Sequence, residues 1–102
     1  MELKVFWTET ALNQLRDIFD YYKVKANQRV ARNIVKKIVN RTIQLERNPK
    51  SGSREPLLES RKFEYRYLVE GNYKIIYWTE DNYVKIASIF DSRQNPEKLA
   101  KI

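Results

Sequence analysis

The sequence predicts an α+β domain: a strand, a two-helix antiparallel hairpin, a three-stranded antiparallel meander and a short C-terminal helix. Three observations predict it. Apolar residues recur at steps of three and four through two early segments separated by a short break. Three later segments alternate in polarity or carry β-branched and aromatic residues throughout. Turn chemistry, Glu70-Gly71-Asn72 and Glu80-Asp81-Asn82, separates those segments. Helices segregated against an antiparallel sheet define the α+β class.

Leu3 to Thr8 alternates weakly, Leu3, Val5 and Trp7 against Lys4, Phe6 and Thr8, and reads as a short strand with one face in the core. Thr8 is placed to cap a helix, and Glu9 in its first turn suits the helix dipole. From Glu9 to about Lys23 the stripe is Ala11, Leu12, Leu15, Ile18, Phe19 and Tyr22. Asn27 can cap the next helix, expected from Gln28 to about Arg47 with Ala31, Ile34, Val35, Ile38, Thr42 and Leu45 as its stripe. The short break folds the two helices back on each other.

Asn48-Pro49 stops the second helix, and Lys50 to Ser53 is loop. Leu57 and Leu58 are expected at the core edge. Arg61 to Val69 reads as a strand, Phe63, Tyr65, Tyr67 and Val69 alternating with Lys62, Glu64, Arg66 and Leu68. A three-residue turn would pair Val69 with Tyr73 and Tyr65 with Tyr77, setting Arg66 on the face of Lys74, Ile76 and Trp78. Asn72 to Trp78 is apolar on both parities, which marks the middle strand of the sheet. Tyr83 to Phe90 is the last strand. Pro96 then opens a short helix anchored by Leu99 and Ile102.

At 102 residues the chain is expected to form one domain, 1–102. Its 42% hydrophobic content supplies a modest core, and 13% aromatics argue against disorder. Without cysteine there is neither a disulfide nor a thiolate metal site, and without histidine the commonest general base and zinc ligand are missing. No metal or other cofactor is expected. The opening MELKVFW lacks an apolar signal core, and no apolar run approaches a membrane span, so the expectation is a cytoplasmic protein with no membrane partner.

The net charge of +7 points to an anionic partner, nucleic acid or acidic protein. The exposed side of the second helix carries Arg29, Arg32, Lys36, Lys37, Arg41 and Arg47 against Glu46 alone. Such a run is either a solvated face or a binding face. Lys74 stands alone in an apolar strand and needs a partner or a role. Its stem can pack while the amine reaches a carboxylate such as Asp91, and Arg93 can pair with the same group. Tyr65, Tyr67, Tyr73 and Tyr77 read as core residues, or as stacking platforms for bases if exposed.

The ordered residues resemble the RelE/ParE superfamily of bacterial toxins from type II toxin-antitoxin modules. Trp7-Thr8 with Ala11 and Leu15 resembles its opening strand and helix. Leu45, Asn48-Pro49 and Gly52 resemble the end of its helical hairpin. Arg66, Tyr67, Gly71, Tyr73, Lys74, Ile75, Ile76 and Tyr77 resemble its central hairpin. Ile89, Phe90, Asp91, Arg93, Gln94, Asn95 and Pro96 resemble the closing segment of ParE-like members. The resemblance implies a growth-arresting toxin of a plasmid-stabilisation module, neutralised by a cognate acidic antitoxin. ParE-like members bind and poison DNA gyrase; RelE-like members cleave mRNA in the ribosome without a metal.

For the ribonuclease, Arg66, Lys74 and Arg93 fall at or near the family's cationic positions and would clamp the phosphate. A C-terminal Tyr or His, the acid/base of such sites, is missing: the chain after Arg93 reads QNPEKLAKI. The expectation is therefore a ParE-like toxin that binds gyrase, with a RelE-like endonuclease and a non-toxic nucleic-acid-binding domain as alternatives. Residues expected to meet the target or antitoxin are Arg29, Arg32, Lys36, Lys37, Arg41, Arg61, Arg66, Lys74, Phe90, Asp91 and Arg93.

Overall fold

The computed structural model describes residues 2–94 and 98. The helix expected after Pro96 lies outside them. The elements are β1 (Lys4–Trp7), α1 (Glu9–Lys25), α2 (Gln28–Ile43), β2 (Ser53–Arg54), β3 (Arg66–Glu70), β4 (Tyr73–Glu80) and β5 (Tyr83–Asp91). Short 3-10 turns cover Gln44–Glu46 and Pro56–Leu58. The strands form one five-stranded sheet in the order β1-β5-β4-β3-β2. β4 is its middle strand, antiparallel to both neighbours, as its two apolar parities require. β1 adds parallel to β5, so the sheet is mixed.

Both helix starts are capped by the residues the sequence marks. The Thr8 side chain accepts from the Ala11 N–H at 3.2 Å, and that of Asn27 accepts from the Val30 N–H at 2.9 Å. Thr8 also donates to the Ile86 carbonyl at 2.7 Å, which ties the start of α1 to β5. Only Ala26 and Asn27 separate α1 from α2, and the helices pack along each other. α2 ends at Ile43, short of the expected Arg47, and tightens into the 3-10 turn before Asn48-Pro49.

The helices cover one face of the sheet. Ala11, Ile38 and Leu45 meet Leu68, Tyr73, Ile75, Tyr77, Val84, Ile86 and Ile89 there, with Leu3, Val5 and Trp7 packed against them. The opposite face is a smaller cluster of Leu58, Ile76 and Ala87 under Tyr65, Tyr67, Trp78 and Phe90. Leu12, expected on the buried stripe, and Leu57, expected at the core edge, are about half exposed.

Several strand expectations are corrected. The strand expected over Arg61 to Val69 begins only at Arg66. Phe63 and Tyr65 lie outside it and pack on Trp78, with ring centroids 5.6 and 5.5 Å away. The turn between β3 and β4 is Gly71-Asn72 alone, because Glu70 stays in the ladder opposite Tyr73. Gly71 takes φ +59°, a conformation a side chain would strain. Shortening the turn by one residue flips every side chain of β3 to the other face. Arg66 therefore lies opposite Tyr77 on the helix side, and not beside Lys74. The two-residue β2 was unforeseen. So was a bulge between β4 and β5, where Ile76 pairs with Ser88 but Tyr77 with Ile86. The extra residue, Ala87, lets Ile86 and Ile89 both enter the helix-side core.

Candidate functional site

Arg66, Lys74 and Arg93 do not form one cluster. Arg66 and Lys74 occupy opposite faces, and Lys74 is three residues along β4 from the partner of Arg66, roughly 10 Å. Arg93 lies beyond Asp91, whose partner Tyr73 is a further residue along.

Each cation is also engaged. The Arg66 guanidinium donates to the Gly52 carbonyl at 2.7 Å, the Lys50 carbonyl at 3.3 Å and Glu64 at 2.9 Å. That hydrogen bond holds the Glu64 carboxyl below its usual range. Tyr77 fastens the same loop: its hydroxyl donates to the Pro49 carbonyl at 2.7 Å and accepts from the Gly52 N–H at 3.0 Å. Arg66 is thus the clamp of the loop that leads into β2.

Lys74 does find a carboxylate, but it is Glu55 and not Asp91. Its Nζ donates to Glu55 Oε1 at 3.0 Å and sits 4.3 Å from the centre of the Tyr67 ring. The Glu55 side chain has no solvent exposure, and its other oxygen accepts from the Leu57 N–H at 3.2 Å. Phe90, opposite Lys74 across the ladder, packs into the same outer cluster.

Arg93 pairs with Asp91 through both carboxylate oxygens, at 3.0 and 2.8 Å, and donates its backbone N–H at 2.9 Å. The hydrogen bonds from Arg93 hold the Asp91 carboxyl below its usual range, and Asp91, followed by Tyr22, reinforces the charge of Arg93. The Tyr73 hydroxyl donates to Tyr22 at 3.5 Å, and burial pushes its ionisation well upward.

Asp91 and Arg93 border an open cleft of about 570 Å³ between α1 and the second half of β5. Gln14, Ile18 and Tyr21 form one wall, with Tyr73 and Ile89 opposite. β1 accompanies β5 only as far as Ile86. Beyond that point Gln14 replaces a strand neighbour: its Oε1 accepts from the Ile89 N–H at 2.7 Å and from Ser88 Oγ at 3.1 Å. The cleft thus borders a strand edge that is capped by one side-chain amide and not by a strand.

The remaining cations lie elsewhere. Arg29, Arg32, Lys36 and Lys37 are exposed along α2. Arg41 is half-buried, donating to the Val69 carbonyl at 3.3 Å and to Gln44, and so ties α2 to β3. Arg61 lines a second cleft of about 410 Å³ beside Glu55, Phe63 and Tyr65.

Sequence reasoning missed Glu55 and Gln14. Glu55 sits before a proline with nothing to announce its burial, and Gln14 falls on the polar side of the helical pattern. Among the described residues no group of three acidic side chains converges as a metal site, and no helix is long and apolar enough to cross a membrane.

No curated protein matches the sequence. A solved chain described as a chromosomal ParDE TA system from P. aeruginosa is similar in fold, with a TM-score of 0.73 at 21% identity, covering 88% of this chain and 96% of that one. The sequence model described as ParE toxin of type II toxin-antitoxin system, parDE, matches residues 5–96. A match over nearly the whole chain, on the mixed sheet and helical pair described above, places this protein in the ParE toxin family of type II toxin-antitoxin systems.

Proposed function

We propose that the protein is a growth-arresting toxin that acts by binding a protein target, DNA gyrase, and is held inactive by a cognate antitoxin. The observation that carries the choice of binding over RNA cleavage is the dispersal of Arg66, Lys74 and Arg93. A metal-free ribonuclease needs cations converging on one phosphate and an acid/base beside them. Here Arg66 and Lys74 sit on opposite faces of the sheet and Arg93 lies beyond the end of β5, each with a partner of its own.

The antitoxin site in this reading is the cleft between α1 and β5. An extended segment of the antitoxin would displace Gln14 from Ile89 and continue the sheet where β1 stops. Phe90, Asp91 and Arg93 stand at its end.

The test is induction of the protein in growing cells, alone and with the small open reading frame beside its gene. Growth should stop with the protein alone and resume with the pair. Supercoiling by gyrase and mRNA cleavage in the ribosomal A site are then measured in parallel. Loss of supercoiling with intact mRNA supports the proposal; cut mRNA with normal supercoiling overturns it.

A further inference from the structure

α2 carries no acidic residue along its length. Successive residues turn by about 100° around a helix. Ala31, Ile38 and Thr42, all buried, mark the inner side. The opposite side is centred on Arg29, Asn33, Lys36 and Asn40, with Arg32 and Lys37 on either flank, all exposed. Among the described residues none of these four cations has an ion-pair or hydrogen-bond partner.

The helix holds this charge against its own stability. Arg29 stands in the first turn, at the positive end of the helix dipole, where no acid offsets it. Arg29 and Arg32, and Arg32 and Lys36, are like charges at the spacings where they repel. Solubility alone does not ask for that arrangement, since mixed charges would serve as well.

The chemistry of the face selects among polyanions. Its centre is cationic and carboxamide donors, with the exposed Ile43 only at its C-terminal end, unlike the middle of a protein–protein interface. It is polar and positive, as nucleic-acid interfaces are. α2 also carries no aromatic residue, and so offers no platform for unstacked bases. Arginine, lysine and asparagine side chains are the donors that meet phosphate oxygens along a duplex.

We propose that the exposed face of α2 binds the phosphate backbone of double-stranded DNA through Arg29, Arg32, Lys36 and Lys37, with Asn33 and Asn40 donating between them. Arg41 is excluded, because its guanidinium is spent on Val69 and Gln44. The surface is separate from the α1–β5 cleft and does not depend on which protein the toxin targets.

Binding of the full-length protein to a short labelled duplex of arbitrary sequence is followed by fluorescence anisotropy across salt concentrations. Neutralising four phosphates gives a log–log salt slope of about −3.6, a roughly 150-fold loss of affinity between about 50 and 200 mM salt. A variant carrying Arg29→Gln, Arg32→Gln, Lys36→Gln and Lys37→Gln should lose that slope and bind at least about ten-fold more weakly at the low-salt end. A control carrying Lys4→Gln, Arg47→Gln, Arg54→Gln and Lys62→Gln changes net charge equally outside α2, and should keep most of the affinity. Glutamine preserves helix propensity. If the α2 variant nevertheless fails to fold, the pair Arg29→Gln and Lys36→Gln should remove about half the slope. The proposal is overturned by absent duplex binding, by equal losses in the two variants, or by tighter binding of duplex RNA or polyglutamate than of DNA.

Discussion

Lys74 can carry its charge into an apolar sheet face because Glu55 is already there, fully covered and hydrogen-bonded to the chain. The pair is asymmetric, since the lysine keeps contact with water and the glutamate does not. Lys74→Met leaves a buried carboxylate without its cation and should cost about 2–3 kcal/mol. Adding Glu55→Gln should recover most of that loss, which a double-mutant cycle of urea unfolding measures. Gly52 is constrained in a different way. A Cβ there would lie 2.6 Å from both the Tyr67 carbonyl and the Tyr77 hydroxyl, so Gly52→Ala should destabilise by about 1–3 kcal/mol and lower the thermal midpoint. Asp91 supplies a pH signature. Its folded pKa is depressed by Arg93, so its contribution is fully present above the ordinary value of 3.8 and is lost as pH falls through the lower folded value. The stability gap between the protein and its Asp91→Asn variant should accordingly be constant near neutrality and close below about pH 4. Of these residues the sequence singled out Lys74, Asp91 and Arg93, and pairing with Asp91 was one of the roles it offered for Arg93. It assigned Lys74 the wrong carboxylate, because the true partner comes from a loop that no local pattern orients.

Among the elements, the helices were the most legible. Their period is carried by many residues at once, and Thr8 and Asn27 announce each start with a side chain that does one local job. Thr8 has a second job that no sequence pattern contains, since its hydroxyl joins α1 to the backbone of β5. Thr8→Ala should therefore cost about 2 kcal/mol, above the typical loss of an N-cap, where Asn27→Ala should cost about 1 kcal/mol; chemical denaturation of both variants checks the difference. Strand existence was legible and strand register was not. The choice between Glu70-Gly71-Asn72 and Gly71-Asn72 as the turn rests on one polar residue at a strand end. That residue decides which face Arg66 occupies. Local composition favours neither answer, so the expected placement of Arg66 on the face of Lys74 failed by a single position. The bulge at Ala87 escaped for a related reason. A small apolar residue fits either parity, and only the pairing with β4 reveals the extra position. Aromatic alternation around Phe63 and Tyr65 imitated a strand, whereas those rings pack on Trp78, Phe63 stacked and Tyr65 tilted.

At the scale of the molecule, two surfaces among the described residues stand out as binding surfaces. One is the cleft beside the open edge of β5, where Gln14 stands in for a strand. The other is the basic outer side of α2, which concentrates part of the net charge of +7 on one helix. Neither has the convergence of groups that phosphodiester cleavage needs, and both suit binding. Inhibition by binding is put to the test by titrating the purified protein into a gyrase supercoiling reaction. Supercoiling should fall with increasing protein and return when the antitoxin is added in equal amount. Undiminished supercoiling at saturating protein, from a preparation that still arrests growth, would contradict it.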